Sequence, residues 1–314
     1  MKKYYLCDMI VIHHIEEKPA QGWMATVGFF DGVHAGHRFL IREMKRLAHE
    51  RALATVVFTF PVHPRVVLQA DYQPGLLNSM DEKLLLLSSE DIDYCVIMDF
   101  TPEMAACTAS GFIAQYLSEK WHVQCLLVGY DHRFGHNRTA GFEQYVEYGK
   151  ACGMEVLRAA SFEKDAEKVS SSKIRQLLAE CRVEEAACLL SYPYRLKGQV
   201  VTGNGVGRTI GFPTANIAID DPLKIQPGQG VYAVWVTIDN VRYKGMLSIG
   251  NHPTWHGGQT TIEVHILHFA QTIYNQQIEV EFIRFLRDNN KFENVEALKA
   301  QLTKDRCQVE EILN

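Results

Sequence analysis

The sequence predicts an α/β chain of two domains: a mostly parallel sheet wrapped by helices, then a small antiparallel β-barrel with a terminal helix. Three observations carry this. The chain has 314 residues, which favours two hydrophobic cores over one. From Lys3 to about Leu190, short apolar runs alternate with amphipathic stretches, as in a parallel sheet with helices on both faces. After about Ser191 helical periodicity nearly vanishes until residue 294, and strand-like runs separated by turn signals take over. Such a series suits a small barrel or sandwich.

In the first half the strand runs are 5–12, 24–28, 55–60, 93–98, 125–129 and 154–158. The helical stretches are 36–52, 81–89, 110–120, 142–152 and 171–179. On the first helix Leu40, Met44, Leu47 and Ala48 share a face. Ligands of such sheets bind beyond the carboxyl ends of the strands. Gly28, His63 and Asp131 all follow strand ends and are expected to face one crevice. A short helix within 181–191 joins the halves, so the reading divides the chain into 1–182 and 183–314. The second half carries strand runs at 195–202, 230–238, 242–249, 260–269 and 277–285, and a closing helix at about 294–313.

Bulk properties exclude several classes. A net charge of −5 gives no basic footprint, which argues against a nucleic-acid partner. No apolar run reaches membrane-spanning length. The segment MKKYYLCDMIVIHH lacks a long apolar h-region and a small-residue cleavage site, and reads as a first strand. The eight cysteines form no C-x-x-C pair, which points to buried free thiols in a reducing, cytoplasmic compartment.

Residues 24–37, MATVGFFDGVHAGH, carry the strongest chemical signal. An apolar strand runs into a glycine turn, and His34 and His37 flank Gly36 at the start of a helix. This is the H-x-G-H pattern of nucleotidyl transfer, which attacks the α-phosphate of a nucleoside triphosphate. Gly28 and Gly32 let backbone approach a polyphosphate. The helix that follows points its N–H groups and positive dipole end at the anion. Histidines on its first turn donate to phosphate oxygens as charge builds. Phe29 and Asp31 of the same turn complete the candidate phosphate contacts.

Other segments add pieces. In FTFPVHPR (58–65) prolines flank His63, and the segment fits a solvated turn as well as a phosphate loop. In VGYDHRFGHNR (128–138) Asp131 suits ribose hydroxyls or a metal, Arg133 and Arg138 suit phosphates, and Phe134 suits stacking. In VSSSKIRQLL (169–178) the serines cap a helix, or with Lys173 and Arg175 form a second anion site. In GNGVGRTIGFPTAN (203–216) the glycines, Gly207 among them, suggest a mobile flap, and Arg208 suits phosphate. Thr214 and Asn216 lie two apart on an extended segment, on one side of it, as two oxygen ligands for Mg²⁺. Glu263 falls on the polar side of TTIEVHIL with Thr261 and His265, placed as a base for an alcohol proton. His252, His256, His265 and His268 lack metal-ligand spacing.

Together these segments resemble the bifunctional riboflavin kinase/FAD synthetase family of bacteria over nearly the whole chain. The pairing of an upstream H-x-G-H domain with GFPTAN, GVYAV, SIGNHPT and IEVHIL carries the likeness. The resemblance implies a Rossmann-like nucleotidyltransferase domain that transfers AMP from ATP to FMN, giving FAD and pyrophosphate. It implies a second, barrel domain that transfers the γ-phosphate of ATP to riboflavin, giving FMN and ADP. By the same likeness His34, His37, Ser171, Ser172 and Arg175 contact nucleotide and phosphate, and Asp131 lies near the nucleotide. Thr214 and Asn216 hold Mg²⁺, and Glu263 is the catalytic base. The implied partners are small molecules alone, with an oligomer allowed. The chain departs from the family at Phe29, where Asn is usual, at Pro61, where an acid is common, and at Ser172, where Thr is usual. It also departs at His132, where an aromatic is common. Phe29 removes a polar side chain beside the triphosphate. Competing readings are a kinase with an inactive first half, a flavin-binding regulator, and a nucleotidyltransferase for another phosphate acceptor. The retained histidine pair, the base and the unexplained second half speak against these in turn. Trp255 and Phe285 are candidates to grip the isoalloxazine ring.

Overall fold

The computed structural model describes residues 3–6, 8–13, 21–63, 66, 75–136, 139–164, 167–203, 205–251 and 260–314. The chain separates into two compact units, Met1–Ser170 and Ser171–Asn314.

The first unit is built on strands β1 (Lys3–Leu6), β2 (Met9–Ile12), β3 (Trp23–Val27), β4 (Ala54–Thr59), β5 (Tyr94–Ile97), β6 (Val123–Val128) and β7 (Glu155–Arg158). They form one sheet in the order β1–β2–β5–β4–β3–β6–β7. The edge strand β1 runs antiparallel to β2, and the other pairings are parallel. The segment expected as one strand over 5–12 is thus a hairpin, because the chain turns at Asp8. Strands β3 and β4 are buried along their whole length, as central strands covered on both faces must be. Their alternating sides feed two cores. Trp23, Phe58 and Trp121 pack on one face, and Met24, Val57, Ile41 and Met44 on the other. From β3 the chain steps to β4 on one side, and later returns to β6 on the other. That reversal makes a switch point at the carboxyl end of β3, where open α/β sheets bind ligands. A short ribbon of β8 (Glu163–Lys164) and β9 (Glu167–Lys168) closes the unit.

In the second unit the helices Ser171–Ala179 and Val183–Leu190 lead into β10 (Tyr194–Val201). Then come β11 (Ala215–Ile219), β12 (Gly230–Ile238), β13 (Val241–Asn251), β14 (Thr260–Ile266) and β15 (Gln277–Arg287). They close a barrel in the order β10–β11–β14–β13–β12–β15, with β15 pairing both β10 and β12. Strict in/out alternation on β10 and β14 fills the barrel with side chains such as Leu196, Val264 and Ile262. At Gly198 a Cβ would stand 2.3 Å from the Ala218 carbonyl oxygen, so only glycine permits this approach of β10 to β11. The helix Val295–Ile312 packs on the barrel and is tied there by Arg287, which forks onto the fully buried Asp305 at 2.7–3.1 Å.

Three readings of the sequence change here. Strand β11 was not expected, because its residues read as the tail of a glycine-rich flap. That flap itself contains a short helix, Val206–Thr209, between Gly205 and Gly211 in the left-handed region. The thiols are less buried than expected: of the seven described, none in a disulfide, Cys95 and Cys125 are buried, while Cys188 and Cys307 are exposed.

Candidate active sites

The first site grows from the turn that follows β3. Gly28 donates its N–H to the Phe58 carbonyl at 3.0 Å, which fixes the strand end. Phe30, Gly32 and Val33 then take positive φ of 54°, 83° and 34°. For a β-branched valine this is an unusual backbone state, and it persists because Phe30 and Val33 are both buried in the core. The turn delivers His34 as N-cap of the helix Ala35–Glu50. Its Nδ1 accepts from the His37 N–H at 3.3 Å, and the two imidazoles stack 3.7 Å apart at 15°. The first turn of this helix holds no acidic residue, so its positive end is left for an anion.

His37 is half-buried, but its Nδ1 is sealed from water and has no hydrogen-bond partner among the described residues. Burial holds its pKa well below the ordinary histidine value, and His34, His132 and Lys83 push the same way. The ring is therefore neutral at pH 7. Lys83 comes from the helix Met80–Ser88 and is almost fully buried. Its Nζ donates to the Phe60 carbonyl at 3.2 Å and lies 3.9 Å from the Phe29 ring centre. Burial lowers its pKa to about 8, against the pull of Asp31.

Of the expected contacts, Gly28, Phe29 and His63 line one crevice of about 190 Å³. It is walled by aromatics such as Phe60, Phe100 and Phe134, and the Phe29 ring meets His63 edge-on at 4.7 Å. Asp31 is buried, and its carboxylate accepts from the Leu77 and Asn78 N–H groups at 2.9 and 3.3 Å. Asp131 does not join Gly28 and His63. It lines an adjoining cleft of about 220 Å³ with Tyr130 and Arg158, because the chain bends back after β6, His132 N–H to Gly129 carbonyl at 3.0 Å. His132 and Arg133 border both spaces. Arg138 lies outside the described residues, as does Arg65, which follows His63 in FTFPVHPR. Ser171, Ser172 and Arg175 lie within the first five positions of the helix Ser171–Ala179, which opens the second unit.

The second site lies on the polar face of β11 and β14. Their register sets Asn216 directly opposite Glu263 and Ala215 opposite Val264. Directly opposed residues share a face, so Asn216 and Glu263 do, and Thr214 and His265 each lie two residues further along it. Thr214 Oγ1 donates to Glu263 Oε2 at 3.0 Å. The Asn216 amide packs so closely on Gly203 that a Cβ there would stand 2.1 Å from Nδ2. These are hard oxygen donors on one face, the set magnesium prefers. Arg208 and Thr214 line a cleft of about 420 Å³ floored by Val264 and Ile266 and bordered by Phe269 and Tyr274. Gly207 has a local role, since a Cβ there would stand 2.2 Å from the Phe212 carbonyl oxygen. Phe285 packs edge-on against Tyr232 at 5.4 Å, as a barrel residue does. His268 pairs with Glu310 at 3.2 Å. Trp255, His252 and His256 lie outside the described residues.

With both sites described, the comparisons place the chain. The FAD synthetase family matches residues 16–173, and the riboflavin kinase family matches residues 190–313. The chain belongs to the bifunctional riboflavin kinase/FMN adenylyltransferase family. The member from Haemophilus influenzae is 36% identical over 93% of this chain and 94% of its own length. The member from Escherichia coli K12 is 35% identical over 96% of each chain. A crystal structure from Streptococcus pneumoniae, named there a macrolide-efflux protein, superposes with a TM-score of 0.88 at 32% identity. It covers 96% of this chain and 99% of its own.

Two residues of this riboflavin kinase/FMN adenylyltransferase family member were missed from sequence. Lys83 stands four residues before Leu87, on the buried face of its helix, and a lysine at an apolar helical position was the available signal. His265 was set aside as a scattered histidine. Its Nδ1 lies 2.8 Å from the Pro213 carbonyl oxygen, and its ring meets Phe212 edge-on at 5.4 Å.

Proposed function

We propose that the two activities of the family run at these two sites, one in each half of the chain. The enzyme is a riboflavin kinase and FMN adenylyltransferase, with riboflavin, FMN, FAD and ATP as its small-molecule partners. ADP and pyrophosphate are the remaining products.

At the kinase site Glu263 takes the proton of the riboflavin 5′-hydroxyl, whose oxygen attacks the γ-phosphorus of ATP as ADP leaves. The observation that carries this is the Asn216–Glu263 register with the Thr214–Glu263 hydrogen bond. It puts a base beside two neutral oxygen donors on one face. Thr214 and Asn216 would hold Mg²⁺, which neutralises charge on the phosphates when bound. Arg208, which lines a cleft with Thr214, would meet the phosphate tail.

At the adenylyl-transfer site a phosphate oxygen of FMN attacks the α-phosphorus of a second ATP, and pyrophosphate leaves. His34, His37 and the N-terminus of their helix receive the triphosphate. Ring N–H groups and backbone N–H groups there donate to phosphate oxygens as charge builds. The aromatic crevice beside them suits the fused flavin ring, with Phe29 as one wall. The Phe29 ring lies on the buried Lys83 ammonium, which holds that wall in place. Asp131 in the adjoining cleft takes the ribose side of ATP. For Ser171, Ser172 and Arg175 the phosphate role rests on the family resemblance alone. The boundary at residues 182 and 183 is likewise proposed as the functional division.

A cytoplasmic location fits the free thiols, and among the described residues no helix is long and apolar enough to cross a membrane. Neither half offers a basic footprint for nucleic acid, and an oligomer is compatible with both sites.

The test is a time course. Incubate the protein with riboflavin, ATP and Mg²⁺ and separate the flavins by chromatography. FMN first and FAD later is the expected result. FMN alone would contradict the adenylyl-transfer assignment. Neither product, with flavin still bound, would favour a regulatory binder.

A further inference from the structure

The Gly-Phe-Pro-Thr-Ala-Asn segment must hold Thr214 still next to Glu263, yet it contains a residue that weakens the sheet at this point. Strand β11 pairs with β14 only at Ala215 and Asn216. Continuing that register would set Thr214 opposite His265 and Pro213 opposite Ile266. Proline has no N–H to give a ladder, and β11 begins only at Ala215. The preceding residues, Val206–Thr209, turn as a short helix ending near Gly211 with φ 85°. Thr214 therefore stands one residue outside the paired strand, next to a glycine-rich turn, and it is exposed.

The His265 imidazole closes this gap. With its proton on Nδ1, it donates to the Pro213 carbonyl at 2.8 Å. Its ring edge packs against Phe212, which is buried in the core between the barrel and the terminal helix. Glu263 and His265 are two residues apart on one strand and share a face. The segment is thus clamped to β14 at two successive steps. One is the Thr214 hydroxyl on Glu263, and the other is the Pro213 carbonyl on His265.

The two clamps differ in what they cost during turnover. Thr214 and Glu263 must let go of each other when one binds metal and the other takes a proton. The His265–Pro213 bond involves neither reacting group, so it can persist throughout. We infer that His265 is a positioning residue of the kinase site. A side-chain hydrogen bond from it to the Pro213 carbonyl ties the segment to β14 beyond the end of the ladder and holds Thr214 and Asn216 in place for the metal–nucleotide complex. The inference rests on the kinase assignment above.

The consequence is selective. Loss of the bond leaves Glu263 on its paired strand and loosens the segment that carries Thr214 and Asn216. The test compares His265→Phe, which keeps the ring and loses the donor, with His265→Asn, whose amide can donate from nearly the position of Nδ1. Riboflavin kinase kinetics are measured as a function of Mg²⁺ and of ATP. Adenylylation of supplied FMN serves as the check on folding. For His265→Phe the expected result is a rise of about tenfold in the KM for Mg·ATP, as one lost hydrogen bond gives. The KM for riboflavin should change less than twofold, and His265→Asn should recover most of the difference. Equal failure of both variants, or a fall in kcat with the KM for Mg·ATP unchanged, would overturn the inference. If the unaltered enzyme made no FMN, the kinase assignment itself would fail, which is a separate outcome.

Discussion

The histidine turn of the first half is held by strained backbone and buried charge, whereas the kinase site of the second half is held by strand register on a polar surface. In the turn, Phe30, Gly32 and Val33 sit at positive φ, and His37 and Lys83 are charged only with difficulty. On the barrel, Glu263 and Asn216 are placed by ordinary antiparallel pairing, and a hydroxyl–carboxylate bond joins Thr214 to Glu263. The chemistry explains the difference. Adenylyl transfer needs no base of high activity, since the phosphate of FMN is already an anion; it needs placed donors that gain strength as charge builds. Phosphorylating an alcohol needs a carboxylate that stays ionised and reachable. A buried site serves the first need and a half-exposed strand serves the second.

The largest expected effect lies on the barrel. Glu263→Ala should cut FMN formation by about 10³-fold, within the range for losing a general base, while FAD formation from supplied FMN survives. Replacing both His34 and His37 by Ala should cut FAD formation by about 10²–10³-fold, the scale of lost charge-stabilising donors, and leave FMN formation intact. A variant that lost both activities while still folded would end the two-site comparison.

Smaller effects sharpen the contrast in buried charge. Lys83 has a folded pKa of about 8 against 10.5 when exposed. Between those values the unfolded chain binds more protons, so stability of the first half should rise with pH across that window. Lys83→Met should flatten the rise and stabilise the protein at pH 7 by roughly 1–3 kcal/mol, after allowing for the lost bond to Phe60. Chemical denaturation at several pH values measures both. His37 has the same sign at lower pH. Its folded pKa lies below 6.5, so the stability it carries is present above 6.5 and is lost as pH falls through its folded value. His37→Asn should remove that part of the acid dependence. No loss of slope in either variant would mean that burial does not shape the turn.

The fold was largely legible because both periodicities are strong. The continuous apolar run TVVFTF and the alternating TTIEVHIL left little choice between buried and half-buried strands. Strand β11 escaped notice because its five residues follow a glycine-rich segment whose local signal is a turn. The site was legible where spacing and geometry coincide, as with His34 and His37 on one helical turn, or Thr214 and Asn216 on one strand face. It was not legible where the partner is distant in sequence. Nothing near Phe29 foretells an ammonium from residue 83, and nothing near Pro213 foretells an imidazole from residue 265. Asp131 was assigned to the crevice because it follows a strand end, but the direction of the bend after β6 decides which cleft it enters.

The most direct test of the central claim, two independent sites in one chain, is a mixing experiment. Glu263→Ala and the His34→Ala/His37→Ala double variant are each given riboflavin, ATP and Mg²⁺, alone and then together, and FAD is measured by chromatography. Neither variant alone should make FAD, and the mixture should, because one supplies FMN and the other adenylylates it. A mixture that stays without FAD, although each variant still performs its own half-reaction, would contradict the account.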